Sequence, residues 1–291
     1  MTAGDFQPVF TTTNSPTKSR PPPSFLKDSF KLSTIFAIGA LIQTIVVSVL
    51  PARYALLPLV LLLGRSIIST IVQARSLKDN AFTLDVVPGR VTAQLPSRNS
   101  RAFGSKPAAQ SLVVFHLGVR FNHPLGLLSP GAKEIGDYFT AMTKALSKKR
   151  EEFGMLHVTN WRATDRETNN TLMIIAYFRD IDALNKFAHD KVHRDGWDWY
   201  HQFAKKEGNS HIGIFHETFV TRPGDYETIY VDCPPTLLGA SNIKINPGDE
   251  KESKGEETWS RALVSADHSA LRSQSKRMGM TLALEGDVDM Y

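Results

Sequence analysis

The sequence predicts an α+β fold of ferredoxin-like β-α-β-β-α-β order, preceded by an N-terminal membrane helix or helical hairpin. Two observations carry this. Over 111–239 the hydrophobic period switches between 2 and about 3.6 residues in that order. Ahead of it, Leu32 to Leu50 runs for 19 residues without a charge.

Residues 1–31, rich in Thr, Ser and Pro, read as a disordered arm. The anchor follows over 32–72. As a helix, Leu32 to Leu50 spans roughly 28 Å, close to the hydrocarbon thickness. Pro51-Ala52-Arg53 breaks it, and a second apolar stretch, Tyr54 to Val72, contains Pro58 and a mid-span Arg65. Two readings stand: one span followed by a surface-lying helix, or a hairpin with Arg65 facing its partner helix. Lys18, Arg20, Lys27 and Lys31 precede the segment and Arg75 and Lys78 follow it, while the loop holds only Arg53. The positive-inside rule then puts both ends of a hairpin in the cytosol. The expected location is a membrane, that of the endoplasmic reticulum, with the globular part facing the cytosol. A single span would instead expose the sequon Asn169-Asn170-Thr171 to glycosylation.

Residues 73–110 read as a linker, with Leu84 to Val91 as a short strand pair or extended strap. The domain, 111–239, opens on the alternating strand Leu112 to Phe121. A helix over Gly131 to Arg150 puts Ile135, Tyr138, Phe139, Met142 and Leu146 on one face, and Gly154 stops it. Met155 to Ala163 and Thr171 to Arg179 form a long hairpin. Asp180 caps the next helix, and a second short helix, Asp195 to Lys206, carries Trp197, Trp199, Tyr200 and Phe203. His211 to Thr221 is the last strand. Residues 240–291 read as a polar, partly disordered tail, in which Trp259, Leu263, Ala266 and Ala270 suggest an amphipathic turn or two.

Helices on one face leave the other sheet face to be covered, and the usual solution is a second copy packed sheet to sheet. Along the first strand, Val114, His116, Gly118 and Arg120 share one face, which reads as the lining of a pocket between two sheets. The segment Tyr226 to Cys233 is placed to pair with the partner's sheet edge.

Charge and composition exclude several classes. The net charge is +5, but residues 1–110 carry +8 and the remainder −3, so the basic excess lies outside the domain. No basic stripe with interleaved aromatics marks a nucleic-acid platform. The single Cys233 excludes an intrachain disulfide framework and a cysteine-rich zinc module. His189 and His193 lie i, i+4 without an HExxH pattern, so no metal site is expected. The absence of a GxGxxG turn disfavours a Rossmann cofactor site.

Particular segments of 111–239 resemble a known family. They are Gly118-Val119-Arg120-Phe121-Asn122, the run Ala176-Tyr177-Phe178-Arg179-Asp180 with His193-Arg194, and His211 to Phe219 leading into Pro223-Gly224-Asp225-Tyr226-Glu227 and Tyr230 to Pro235. The resemblance is to the fungal antibiotic-biosynthesis-type monooxygenases of secondary metabolism, including the fumagillin pathway. It implies a dimeric α/β barrel and a homodimer acting with O₂ on a hydrophobic terpenoid or polyketide. It leaves the chemistry open between cofactor-independent oxygenases, isomerases or cyclases, and haem-dependent dehydratases. No cofactor is the leading expectation, with haem as the alternative; a non-catalytic lipid-binding or scaffold role is the third.

The candidate catalytic residues are His193, His216 and Arg120. His193 suits a general base near neutral pH or a haem ligand, against a capping role beside Asp195. His216 and Glu217 point to opposite faces of their strand, and His216 is either a pocket residue or a hydrogen-bonded core histidine. Arg120 would hold an enolate, or else pair with a carboxylate such as Glu227. Asn122, His116, Asn160 or Trp161 (by phase), and Trp197 complete the candidate substrate contacts. His116 stands where the family more often has an apolar residue. The aromatic cluster around Trp197 also reads as helix-to-sheet packing.

Overall fold

The computed structural model describes residues 4–17, 30–76, 80–163, 170–245 and 257–280. Two apolar helices, α1 (Leu32–Val49) and α3 (Leu57–Arg75), are joined by a single turn, α2 (Ala52–Ala55). Gln43 of α1 donates to the Ala55 carbonyl (3.2 Å), so the chain has doubled back by that point. Arg65 is exposed on α3. The expected 73–110 linker holds a real strand, β1 (Val87–Ala93).

The domain then follows the expected order. Strand β2 (Leu112–Phe121) leads to α4 (Ala132–Lys148), then to β3 (Met155–Ala163) and β4 (Thr171–Phe178). Next come α5 (Ile181–Ala188), α6 (Lys191–Ala204) and β5 (Ile212–Thr221). The four strands form one antiparallel sheet in the order β3-β4-β2-β5. The apolar stripe of α4 packs Leu146, Phe139 and Met142 onto Val113, Phe115, Leu117 and Ile174, which defines the covered face. Residues of opposite parity define the open face. The Asp180 side chain accepts from Ala183 N (2.7 Å), as an N-cap should. Helix α6 begins earlier than expected, at Lys191, because Asp190 supplies its cap by accepting from Val192 N (3.0 Å). His193 therefore lies inside the helix and not before it.

The remaining strands are β6 (Tyr230–Cys233), β7 (Asn242–Ile245), β8 (Thr258–Arg261) and β9 (Leu263–Ser265), with a last turn α7 (Gln274–Arg277). Here the structure corrects three expectations. Tyr226 to Cys233 is not a free strap: β6 pairs with β1 of its own chain, at the edge of a sheet ordered β6-β1-β9. That sheet buries Val91, Ala93, Leu238 and Leu263 against Tyr177, Val114 and Ile175, so one end of the open face is covered from within. Trp259 and Leu263 lie in strands and not in an amphipathic turn; Trp259, Leu263 and Leu271 are all buried. The arm, finally, is ordered where described. Pro8 bridges Val264, Thr13 bridges Trp259, and Thr17 N donates to Asn242 Oδ1 (2.8 Å). Phe6 is buried with Phe103, Val264 and Leu271. The tail run 246–252 and the sequon's Asn169 lie outside the described residues.

Candidate active site

Strand register decides which candidates meet. Asn160 pairs with Ile174, Ile174 with Leu117, and Leu117 with His216. These four residues form one row on the helix-bearing side of the sheet, its two ends, Asn160 and His216, exposed on the edge strands. His216, at its β5 end, sets its ring 5.8 Å from that of Phe115, whose side chain packs against the covered core. His193 on α6 comes down toward the same place. Its ring meets Phe187 edge-on at 5.6 Å.

His193 is held below the usual imidazole range. Burial is the main cause, opposed by a backbone hydrogen bond at Ala188 and reinforced by the neighbouring His189 and His216. The ring is therefore the neutral form at pH 7, ready to accept a proton. The surroundings suit an apolar ligand. Phe115 and Leu117 lie on the central strand under the helices, yet remain half-buried, as do Phe139, Met142 and Val192.

Arg120 is not there. It lies on the open face, in the row Ala163–Thr171–Arg120–Gly213, with the whole thickness of the sheet between it and the two histidines. The parity of β2 requires this, since Val119 and Phe121 point into the covered core. The alternative partner Glu227 is taken as well, by Arg277 Nε at 2.7 Å. Asn122 is exposed just past β2, its N–H donating to the His211 carbonyl (2.7 Å). His116 shares Arg120's face, where it stands opposite Glu217 (3.7 Å) and meets Phe219 edge-on at 5.6 Å.

The phase between Asn160 and Trp161 resolves against a common site: Asn160 takes the histidines' face and Trp161 the open one. Ile212 and Ile214 belong to the covered core, and Phe215 and Phe219 occupy the open face. Trp197 is exposed at the outside of α6, its ring 4.5 Å from that of His201, whereas Trp199, Tyr200 and Phe203 do the packing. Residues that sequence reasoning passed over are Phe115, Leu117, Met142 and Val192. Each reads as ordinary core, and only their incomplete burial marks them.

A small hollow elsewhere, about 40 Å³, is lined by Arg98, Arg101, Glu151, Arg179 and Lys244 among others. It has room for little more than a water or two. Arg98 and Arg179 are already engaged with Asp180 (3.1 Å) and Glu151 (3.4 Å).

Comparisons with known proteins bear on the same residues. The family described as monooxygenase af470-like matches residues 112–238. The chain is 43% identical over 255 residues to monooxygenase af470 of Aspergillus fumigatus, covering 88% of this chain and 90% of that one. Among solved structures, an aldoxime dehydratase in complex with butyraldoxime matches 50% of this chain and 34% of its own, at 16% identity and a TM-score of 0.35. The cofactor-independent oxygenase SnoaB of Streptomyces nogalater matches 38% of this chain and 93% of its own, at 13% identity and a TM-score of 0.26. Likenesses at this level carry no argument about chemistry. The long relative does: this chain belongs to the monooxygenase af470-like family and is an enzyme, a monooxygenase.

Proposed function

We propose that the chain is a membrane-anchored, cofactor-independent monooxygenase acting on a hydrophobic terpenoid or polyketide intermediate of fungal secondary metabolism. The observation that carries this reading is the half-buried His193, its ring against Phe187 of the core on which Phe115 and Leu117 also pack, with His216 against Phe115 on the same side of the sheet. His193 removes a proton from a methylene activated by neighbouring carbonyl or aryl groups. The resulting anion gives its electrons to O₂, and the balance R₂CH₂ + O₂ → R₂C=O + H₂O needs no external reductant. His216 orients the substrate or returns the proton. Apolar walls keep water from the anion. Arg120 takes no part, since it faces away. A homodimer covers the rest of the open sheet face, where Trp161, Phe215 and Phe219 are 46%, 43% and 49% exposed.

The full chain in detergent is incubated with candidate carbon acids of this class, following oxygen uptake and product mass. The expected product gains one oxygen and loses two hydrogens. His193→Gln lowers kcat by about 10²–10⁴-fold, the usual worth of a general base. Absence of any oxygen-dependent product overturns the reading. A product of unchanged mass replaces it with isomerisation, and a Soret band lost on His193→Ala or His216→Ala replaces it with haem chemistry.

A further inference from the structure

We infer that the N-terminal arm is a topological clasp, which obliges the apolar segment from α1 to α3 to leave and re-enter the domain on one side of a bilayer by crossing it twice. This rests on the membrane reading above, but a different observation carries it. Val264 of β9 has neighbours on both edges: Thr92 of β1 on one and Pro8 of the arm on the other. Two strand spacings amount to about 10 Å. The chain before the apolar segment and the chain after it are thus held close together, in one hydrogen-bonded array.

The attachment of the arm is substantial. Val9 N donates to the Leu263 carbonyl (3.0 Å), and Thr13 and Trp259 exchange both backbone hydrogen bonds (2.9 and 2.8 Å). Phe6 is buried, and the Arg261 guanidinium lies over the Phe10 ring at 4.5 Å. On the other side, β1 is paired along both edges. A single crossing would put residues 4–17 and 87–93 on opposite sides of the membrane, and this array forbids it. Only an even number of crossings is compatible.

The segment itself fits two crossings. Leu32–Val49 and Ala52–Arg75 both have a mean hydropathy of 2.1 over their most apolar window, and 0% and 6% of those windows are buried. Lys31 precedes α1 and Arg75 ends α3, so both cationic ends sit at the level of the same leaflet's headgroups, and Arg53 marks the far turn. The connection from Ser76 to β1 reaches at most about 40 Å when fully extended, which keeps the domain close to that leaflet. An apolar substrate dissolved in the bilayer then has a short path to the domain.

The test places single cysteines in the full chain carrying Cys233→Ser. The exposed positions are Ser15→Cys in the arm, Arg53→Cys at the turn and Glu207→Cys on the domain. Sealed microsomes are treated with a membrane-impermeant maleimide before and after detergent, and carbonate extraction runs in parallel. The expected result is equal labelling at Ser15→Cys and Glu207→Cys in sealed vesicles, with Arg53→Cys labelled only after lysis. Unequal labelling at Ser15→Cys and Glu207→Cys in a carbonate-resistant chain overturns the clasp and leaves the membrane reading standing. Labelling of all three sites in a carbonate-resistant chain overturns the double crossing. Release of the chain by carbonate overturns both.

Discussion

Two histidines in this domain are held neutral by the same physics. His157 on β3 is pushed down to about 4 by burial, with the Arg150 and Arg261 charges adding to it; His193 is lowered mainly by burial. A histidine whose folded pKa is depressed leaves the unfolded chain binding more protons, so stability is full above about pH 6.5 and falls as the pH drops. For His157 the loss runs from about pH 6.5 to about 4 and amounts to about 3 kcal/mol. Urea unfolding of the detergent-solubilised chain at a series of pH values should show that slope, and His157→Gln should flatten it. His193 predicts a companion effect on activity. As general base it should remain competent below the ordinary imidazole range, so the acid limb of kcat/KM should fall at a pH under 6.5. A limb at or above 6.5 would remove His193 from that role.

At the scale of elements, the position of His193 depends on how α6 lies against α4. Gly196 lets them approach: a Cβ there would come within 2.4 Å of Met142 Cε and 3.3 Å of Tyr138 Cβ. Gly196→Val should displace the flexible end of Met142 and crowd Tyr138, shifting the turn of α6 that carries His193. The expected signature is kcat lowered by roughly tenfold or more with the domain still folded, since ångström misplacement of a reacting group costs that much or greater. Circular dichroism separates this from unfolding. On the other face, Gly118 makes room for the Phe215 ring, which a Cβ would meet at 2.0 Å. Gly118→Val should expel Phe215 from its seat and weaken self-association, read by sedimentation, while sparing the histidine face.

At the scale of the whole molecule, the C-terminal segment is structural. Arg277 is 4% exposed, pairs with Glu227 at 2.7 Å and donates to the Leu271 and Arg272 carbonyls (both 3.2 Å). Arg277→Ala leaves the partly exposed Glu227 unpaired and the Leu271 and Arg272 carbonyls without their donor, so it should destabilise the chain by about 1–3 kcal/mol in chemical denaturation. Tyr230→Asp, which on sequence grounds would test a dimer contact, should instead destabilise the monomer. The Tyr230 hydroxyl accepts from Gly239 N (3.0 Å), and its ring packs into the intrachain core.

What the sequence determined by itself is local. The periods of 2 and about 3.6 residues located the four strands of the sheet β3-β4-β2-β5 and the helices α4, α5 and α6, because pleat and helical turn act through near neighbours. The capping Asp180 and the length of the apolar run were legible for the same reason. Only tertiary structure decided which face of the sheet the helices cover. That choice sent Arg120 and Trp161 one way and His216 and Asn160 the other, and alternation along one strand cannot fix it in advance. The arm and the tail were illegible for a related reason. Phe6, Thr13, Trp259 and Leu271 have no periodic context of their own, and they are ordered by hydrogen bonds and burial shared between segments some 250 residues apart.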